Sequence, residues 1–238
     1  ERGFASVCEG ISGFRYVNGY PGEAPVRPNL SIGDTIAALH AALGIMLALR
    51  ARDALPDTGG QVVDVALYES MFNLMEAVVP EFSGAGVVRE PSGTTVTGIV
   101  PTNTYRCADG RHVVIGGNGD SIVRRLMEGI GRADLGTDPG LAHNAGRVAR
   151  EAEIDAVIGE WCAGRPVAAV LSVMERQRVP AGPIYSVREM FEDPHFRARQ
   201  LFERVEIDGK TLEIPALFPR LADTPGATEW AGAGIGSH

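Results

Sequence analysis

The sequence predicts an α/β architecture, and three neighbouring segments carry that expectation. A continuously apolar helix from Ile36 to Leu49 is followed by the turn Asp57-Thr-Gly-Gly and the alternating segment Gln61-Val-Val-Asp-Val-Ala-Leu67. An amphipathic helix from Tyr68 to Val79 comes next, with Met71, Leu74, Met75 and Val78 at helical spacing. Helix, turn, strand and helix in this order are the grammar of a layered α/β structure.

The elements can be justified in chain order. Residues 4–13 read as a short helix closed by Gly13, and Gly19 to Pro28 is too dense in Pro and Gly for regular structure. The apolar residues of the next helix surround it almost completely, so it should be buried inside a domain, and Arg50 and Arg52 suit its C-terminal end. From Pro80 to Thr102 the composition shifts to Gly, Pro, Ser, Thr and Val, as in a linker or mobile loop, with Ser92–Gly98 a possible lid. Asn103–Cys107 and His112–Gly116 form a hairpin turning at Asp109-Gly110. The run Gly116-Gly-Asn-Gly119 lacks the Lys-Ser/Thr of a phosphate loop and reads as a strand-to-helix turn capped by Asn118 or Asp120. Helices follow over 121–130, 147–162 and 167–177, with a polar loop over 134–146. Val179–Tyr185 is a proline-stiffened connector, and Ser186 and Asp193-Pro194 open two short helices. Residues 204–214 form a hairpin turning at Asp208-Gly209, before an irregular Pro- and Gly-rich tail. These boundaries divide the chain into 1–79, a large-domain part, 80–102, a linker, 103–185, a small α+β domain, and 186–238, a return segment to the large domain.

Composition narrows the function. The 238 residues are 45% hydrophobic and 22% charged, with a net charge of −8, the profile of an ordinary soluble domain. That acidity and the lack of a Lys/Arg run argue against a nucleic-acid partner. Lys210 is the only lysine, which excludes Schiff-base chemistry elsewhere. Cys8, Cys107 and Cys162 fit neither a disulfide framework nor a metal spacing, and the five histidines show no paired spacing. Free thiols in a reducing cytoplasm and no metal are the expectation. The helix over 36–49 is too short to span a membrane, and the opening residues hold no signal-peptide pattern. The missing initiator Met suggests a processed, trimmed or partial chain.

One acid stands out. Asp34 follows Gly33 at the mouth of the most apolar helix. A carboxylate there serves as an N-cap, or as a reactive group whose anion the free N–H groups of the first turn stabilise. Residue type and position leave both uses open.

Several segments together resemble the class III CoA-transferases of the CaiB/BaiF type, which include formyl-CoA:oxalate and carnitine CoA-transferases. They are Gly3-Phe4…Glu9-Gly-Ile-Ser-Gly13, Pro25-Val-Arg-Pro28, Ile32-Gly-Asp34…Gly44-Ile-Met-Leu-Ala-Leu-Arg50 and Thr58-Gly-Gly-Gln-Val-Val-Asp-Val-Ala-Leu67-Tyr-Glu69. Further on stand Asn103-Thr-Tyr-Arg…Asp109-Gly-Arg, Val179-Pro-Ala-Gly-Pro183, Asp193-Pro-His-Phe-Arg-Ala-Arg199 and Asp223-Thr-Pro-Gly226. The resemblance implies part of a Rossmann-like large domain plus a smaller α+β domain, in an interlocked homodimer. It also implies that the chain is incomplete at its N-terminus, so that the missing half comes from the full gene or from a partner.

The resemblance further implies that Asp34 is the nucleophile of a CoA transfer, passing through mixed-anhydride and aspartyl-CoA thioester intermediates. Coenzyme A enters as acyl-CoA substrate, with no prosthetic group, and a dicarboxylate is a plausible acid. Arg2, Phe4 and Leu67 match positions along the CoA path, and Tyr105 and Arg106 could face the acyl group. Acyl-CoA racemases share the fold, but their His–Asp pair falls here on Phe4 and Ala5, which cannot move a proton. A non-catalytic partial chain or subunit is the remaining alternative. Glu9 stands where the family often has Gln.

Overall fold

The computed structural model describes all residues except 1, 2, 56, 58, 233, 235, 237 and 238. Two units are formed, residues 1–182 and 183–238. Residues 80–102 fall inside the first unit.

The first unit begins with α1 (Ala5–Ile11), closed near Gly13, whose φ of +84° a side chain would strain. Then comes α2 (Ile32–Ala54). It is longer than the 36–49 core expected, because Ser31 rather than Asp34 holds the N-cap position. At 23 residues, with a mean hydropathy of 1.7 over its best window, α2 is long and apolar enough to cross a membrane by length and composition, contrary to the expectation.

The expectation that α2 is buried all round is also overturned. Only Gly33 and Ala37 are fully buried, while Leu39, Leu43, Ile45, Met46 and Leu47 are all at least half exposed. The face that packs is the small-residue face. A Cβ on Gly33 would lie 3.0 Å from the Ala5 Cβ, and one on Gly44 would lie 2.7 Å from the Val63 side chain. Close approach of α1 accounts for Gly33 and the Val63 side chain accounts for Gly44, while the five large residues on the other faces stay at least half open among the described residues.

The expected strand over 61–67 forms no ladder. Residues 61–66 carry no regular structure and Val62 is 92% exposed. A strand needs a hydrogen-bonded neighbour, and none stands beside it among the described residues. The following helix is split into α3 (Leu67–Phe72), a 3-10 turn over 73–75, and α4 (Val78–Ala85), with Glu76 at φ +38° in the break. Pro80 therefore belongs to a helix rather than to a linker, in the first turn where its missing N–H costs nothing. Met71 and Met75 are buried, as their spacing suggests.

The main core lies over residues 100–179. Strands β1 (Thr102–Arg106) and β2 (His112–Gly116) pair antiparallel through Asn103↔Ile115 and Tyr105↔Val113, and β3 (Ala181–Pro183) lies beside β2. The proline-stiffened connector thus contributes a strand. Helices α5 (Asp120–Gly129), α8 (Glu151–Ala163) and α9 (Val167–Arg176) supply Val123, Leu126, Ile154, Ile158, Val170 and Met174 to this core. Short helices α6 (Ala133–Gly136) and α7 (Asn144–Ala149) occupy the expected polar loop. Neither Asn118 nor Asp120 caps α5. Asn118 donates to Thr102, and Asp120 pairs with Arg147 at 2.8 Å.

Asp109 does two jobs at the hairpin turn. One carboxylate oxygen accepts from the Arg111 N–H at 3.2 Å and the other from the Val167 N–H at 3.0 Å, so the turn also caps α9. The Val167 hydrogen bond holds the carboxyl below its ordinary value. A depressed folded value gives stability that is complete above the unfolded value and lost as pH falls through the folded one. Urea midpoints of the first unit should therefore drop below about pH 4. Asp109→Asn should lower the midpoint at pH 7 and flatten that acid limb.

In the second unit, Ser186 opens α10 (Val187–Glu192) with a capping box closed by Glu189, and Asp193 caps α11 (Pro194–Ala198). Strands β4 (Phe202–Ile207) and β5 (Lys210–Pro215) form the expected hairpin, and Asp208 and Gly209 both take positive φ at its turn.

Candidate active site

Asp34 is the third residue of α2. The first bond of the helix runs from the Thr35 N–H to the Ser31 carbonyl at 3.2 Å, and the Thr35 hydroxyl reaches the same oxygen at 3.0 Å. The N–H groups before Thr35 thus point out of the helix mouth without intrahelical partners. The Asp34 side chain is exposed and has no hydrogen bond or ion pair among the described residues. It is not the N-cap. A free carboxylate beside unpaired N–H groups has the equipment of an oxygen nucleophile whose anionic adducts the same N–H groups can hold.

The helix mouth rests on α1. The contact of Gly33 with Ala5 brings the two backbones together one residue before Asp34. Gly33→Ala should therefore push α1 and α2 apart and destabilise the fold by about 1–2 kcal/mol, readable as a lower urea midpoint.

A cavity of about 520 Å³ lies between α1 and α3, lined by Gly3, Val7, Cys8, Ile11, Ala66, Leu67 and Tyr68. Its lining is mostly apolar, with one half-buried thiol. Leu67 therefore stands on a cavity wall. Phe4 is 85% exposed at the start of α1, and Arg2 lies outside the described residues. A smaller hollow between α2 and α3 is lined by His40, Asp64, Val65, Ala66, Glu69, Ser70 and Asn73.

The other sequence-derived site residues are placed elsewhere in the first unit. Tyr105 is 4% exposed in the core, and its hydroxyl donates to Asp155 at 2.6 Å. Burial first, then that hydrogen bond, push the phenol well above its ordinary value. A side chain so placed is a packing group, which corrects the expectation that Tyr105 faces an acyl group. Arg106 follows it as an exposed residue at the end of β1.

Ser92–Gly98, expected to be mobile, is tied down. Ser92 and Thr95 exchange hydroxyl-to-carbonyl bonds, the Gly93 N–H reaches the Gly19 carbonyl at 2.8 Å, and Asn144 holds the Gly98 carbonyl at 2.8 Å.

One group gave no role from sequence. Glu9 is completely buried, and one carboxylate oxygen accepts from Arg15 at 3.1 Å and lies 3.9 Å from Arg27. The nearest signal was its spacing of four from Ala5, which puts both on one helix face.

Comparison with known proteins places the chain in a family. The succinyl-CoA–D-citramalate CoA-transferase of Chloroflexus aurantiacus is 39% identical over 99% of this chain and 58% of its own length. The succinyl-CoA–L-malate CoA-transferase alpha subunit of the same organism is 34% identical over 99% of this chain and 55% of its own length. The chain thus spans a little over half the length of these relatives. A CAIB/BAIF family protein from Brucella suis superposes with a TM-score of 0.74 at 26% identity, covering 94% of this chain and 58% of that one. Rv3272 of Mycobacterium tuberculosis, at 19% identity, shares the fold with a TM-score of 0.81 over 96% of this chain and 60% of its own. The sequence model of CoA-transferase family III matches residues 1–238, the same stretch in which the Asp34 helix, its α1 support and the small core occur, and the chain belongs to that family.

Proposed function

We propose that this chain carries the nucleophile of an enzyme that moves CoA from an acyl-CoA donor to a carboxylic acid. The observation that carries the reading is the Asp34 carboxylate, exposed at the mouth of α2 and without a partner among the described residues. Asp34 attacks the donor thioester carbonyl, forming a mixed anhydride and expelling CoA thiolate. The thiolate attacks the aspartyl carbonyl, giving aspartyl-CoA thioester and releasing the donor acid. The acceptor carboxylate attacks that thioester and frees the thiolate again, which then takes the acceptor acyl group and returns Asp34. Each step exchanges one acyl bond for another, so no redox partner or metal is needed.

The curated relatives name succinyl-CoA with citramalate or malate, which supports succinate as donor acid and a four- or five-carbon hydroxydicarboxylate as acceptor. The mostly apolar cavity beside Leu67 suits the pantetheine arm, and Phe4 follows Gly3 on its wall. The uncovered faces of α2 support a larger assembly. Further polypeptide, from a homodimer partner or from a distinct subunit as in the alpha and beta pair named for L-malate, would cover them. Its burial there accounts for the apolar length of α2 without a membrane, since Asp34, His40, Arg50, Arg52 and Asp53 all lie within that helix. The three free cysteines support a reducing, cytoplasmic setting.

The test is exchange of labelled succinate into succinyl-CoA by the whole protein, with hydroxylamine added to trap an aspartyl thioester on Asp34. Label exchange and a hydroxamate at residue 34 support the reading. Exchange of the α-proton without acyl exchange would instead indicate the racemase. No CoA binding would indicate a non-catalytic subunit.

A further inference from the structure

We propose that Glu9 is a positioning residue that sets the approach of the chain to Asp34, an inference that rests on Asp34 being the nucleophile. Ala5 and Glu9 are the buried residues of α1, one turn apart on a single face. Ala5 meets Gly33, the residue before Asp34. Glu9 meets the start of the same connection: its Oε2 accepts from the Arg15 guanidinium at 3.1 and 3.3 Å and lies 3.9 Å from the Arg27 Nε. Arg15 is itself oriented by the Ser6 hydroxyl at 2.7 Å. One face of α1 therefore grips the chain at Arg27 and at Gly33, and Asp34 follows directly.

The segment between those grips has little else to hold it. No residue from Tyr20 to Ser31 is buried. Its backbone bonds are the turn from the Glu23 N–H to the Tyr20 carbonyl and the first helical bond at Ser31. Pro25 and Pro28 stiffen it but anchor it to nothing. The buried Glu9 oxygen is the fixed point, and a carboxylate so enclosed holds a guanidinium more firmly than an exposed one, because water competes less. The second oxygen, Oε1, is buried without a partner among the described residues, so the carboxylate's hydrogen bonds go to Arg15 and its remaining charge faces Arg27.

The experiment compares Glu9→Leu, Glu9→Gln and Arg27→Gln in the whole protein. Leu fills the site without an acceptor, and Gln keeps an acceptor oxygen at the same reach. Amide hydrogen exchange over residues 29–36 should speed up about tenfold or more in Glu9→Leu and Arg27→Gln, with residues 120–176 unchanged, and Glu9→Gln should stay near wild type. The kcat for CoA transfer should fall about tenfold in the first two variants, with KM for acyl-CoA nearly constant and Glu9→Gln largely rescued, since small misplacements of a reacting group cost rate rather than binding. If Glu9→Leu fails to fold, Arg27→Gln carries the test alone, because Arg27 is half exposed. Unchanged exchange over 29–36 in Arg27→Gln, or Glu9→Gln as impaired as Glu9→Leu, overturns the proposal. A wild type without CoA transfer refutes the catalytic reading of Asp34 and leaves the exchange result to judge the grip itself.

Discussion

Replacing Asp34 with Asn should lower kcat for CoA transfer by about 10⁴-fold or more, corresponding to about 5–6 kcal/mol of lost transition-state stabilisation. An amide oxygen is a poor nucleophile toward a thioester. The same change should leave stability within about 0.5 kcal/mol, since Asp34 is exposed and bonded to no described group. That separation makes the experiment decisive. Urea midpoints of wild type and variant should coincide while succinate exchange and the hydroxylamine-trapped adduct disappear together. Transfer at the wild-type rate in Asp34→Asn would remove Asp34 from the chemistry. Asp34→Ala should behave in the same way, because the loss is of the attacking oxygen rather than of a hydrogen bond.

What could be read in the sequence divides along a physical line. The hairpins at Asp109-Gly110 and Asp208-Gly209 were legible because a turn and its flanking strands are contiguous, and the same residues set the pairing. The helices of the core were legible from their periodicity, as Ile154 and Ile158 show. Periodicity reports that a surface is to be covered but not by what. The apolar pattern of α2 therefore predicts a burial that the described residues do not provide, and the alternation of Gln61–Leu67 predicts a strand for which they supply no neighbour. Pro80 read as the start of a linker although it sits in the first turn of α4, because the local signal for a stop and for an N-terminal turn is the same residue.

The site shows the same division. Asp34 was visible as one acid before an apolar run, yet sequence could not separate a cap from a free carboxylate. The structure does so by placing Ser31 at the N-cap. Tyr105 was misplaced because a tyrosine opening a hairpin looks alike whether its hydroxyl meets a ligand or a buried acid such as Asp155. Buried charges were the least legible of all. Glu9 and Arg147 interrupt no pattern that would mark them as interior, and their partners come from positions that only folding brings together.

Arg147 is the position where substitution should harm the fold most. It is 1% exposed, and its guanidinium donates to the carbonyls of Val100 at 2.9 Å, Leu141 at 3.1 Å, Ala142 at 3.3 Å and Asn118 at 2.8 Å. It also pairs with Asp120 at 2.8 Å. Four carbonyls from three backbone segments thus converge on one planar cation whose five N–H groups match their directions. Arg147→Met would fill much of the volume yet leave those oxygens without a donor, and should cost about 3–5 kcal/mol, the range for breaking a buried charged network. Arg147→Lys should recover only part of this, because three donors on a point charge cannot reach every oxygen. Acid supplies an independent reading. The Arg147 hydrogen bond first, and then His143, hold the Asp120 carboxyl below its ordinary value. Its share of stability is therefore complete above the unfolded carboxylate value and fades as pH falls through the lower folded one. Wild type should lose stability along that limb, and Arg147→Met, already without the pair, should show a shallower acid limb in urea titrations from pH 7 to pH 3. If Arg147→Met matches wild type at pH 7, the carbonyls around it are satisfied by other donors and the network does not organise this core.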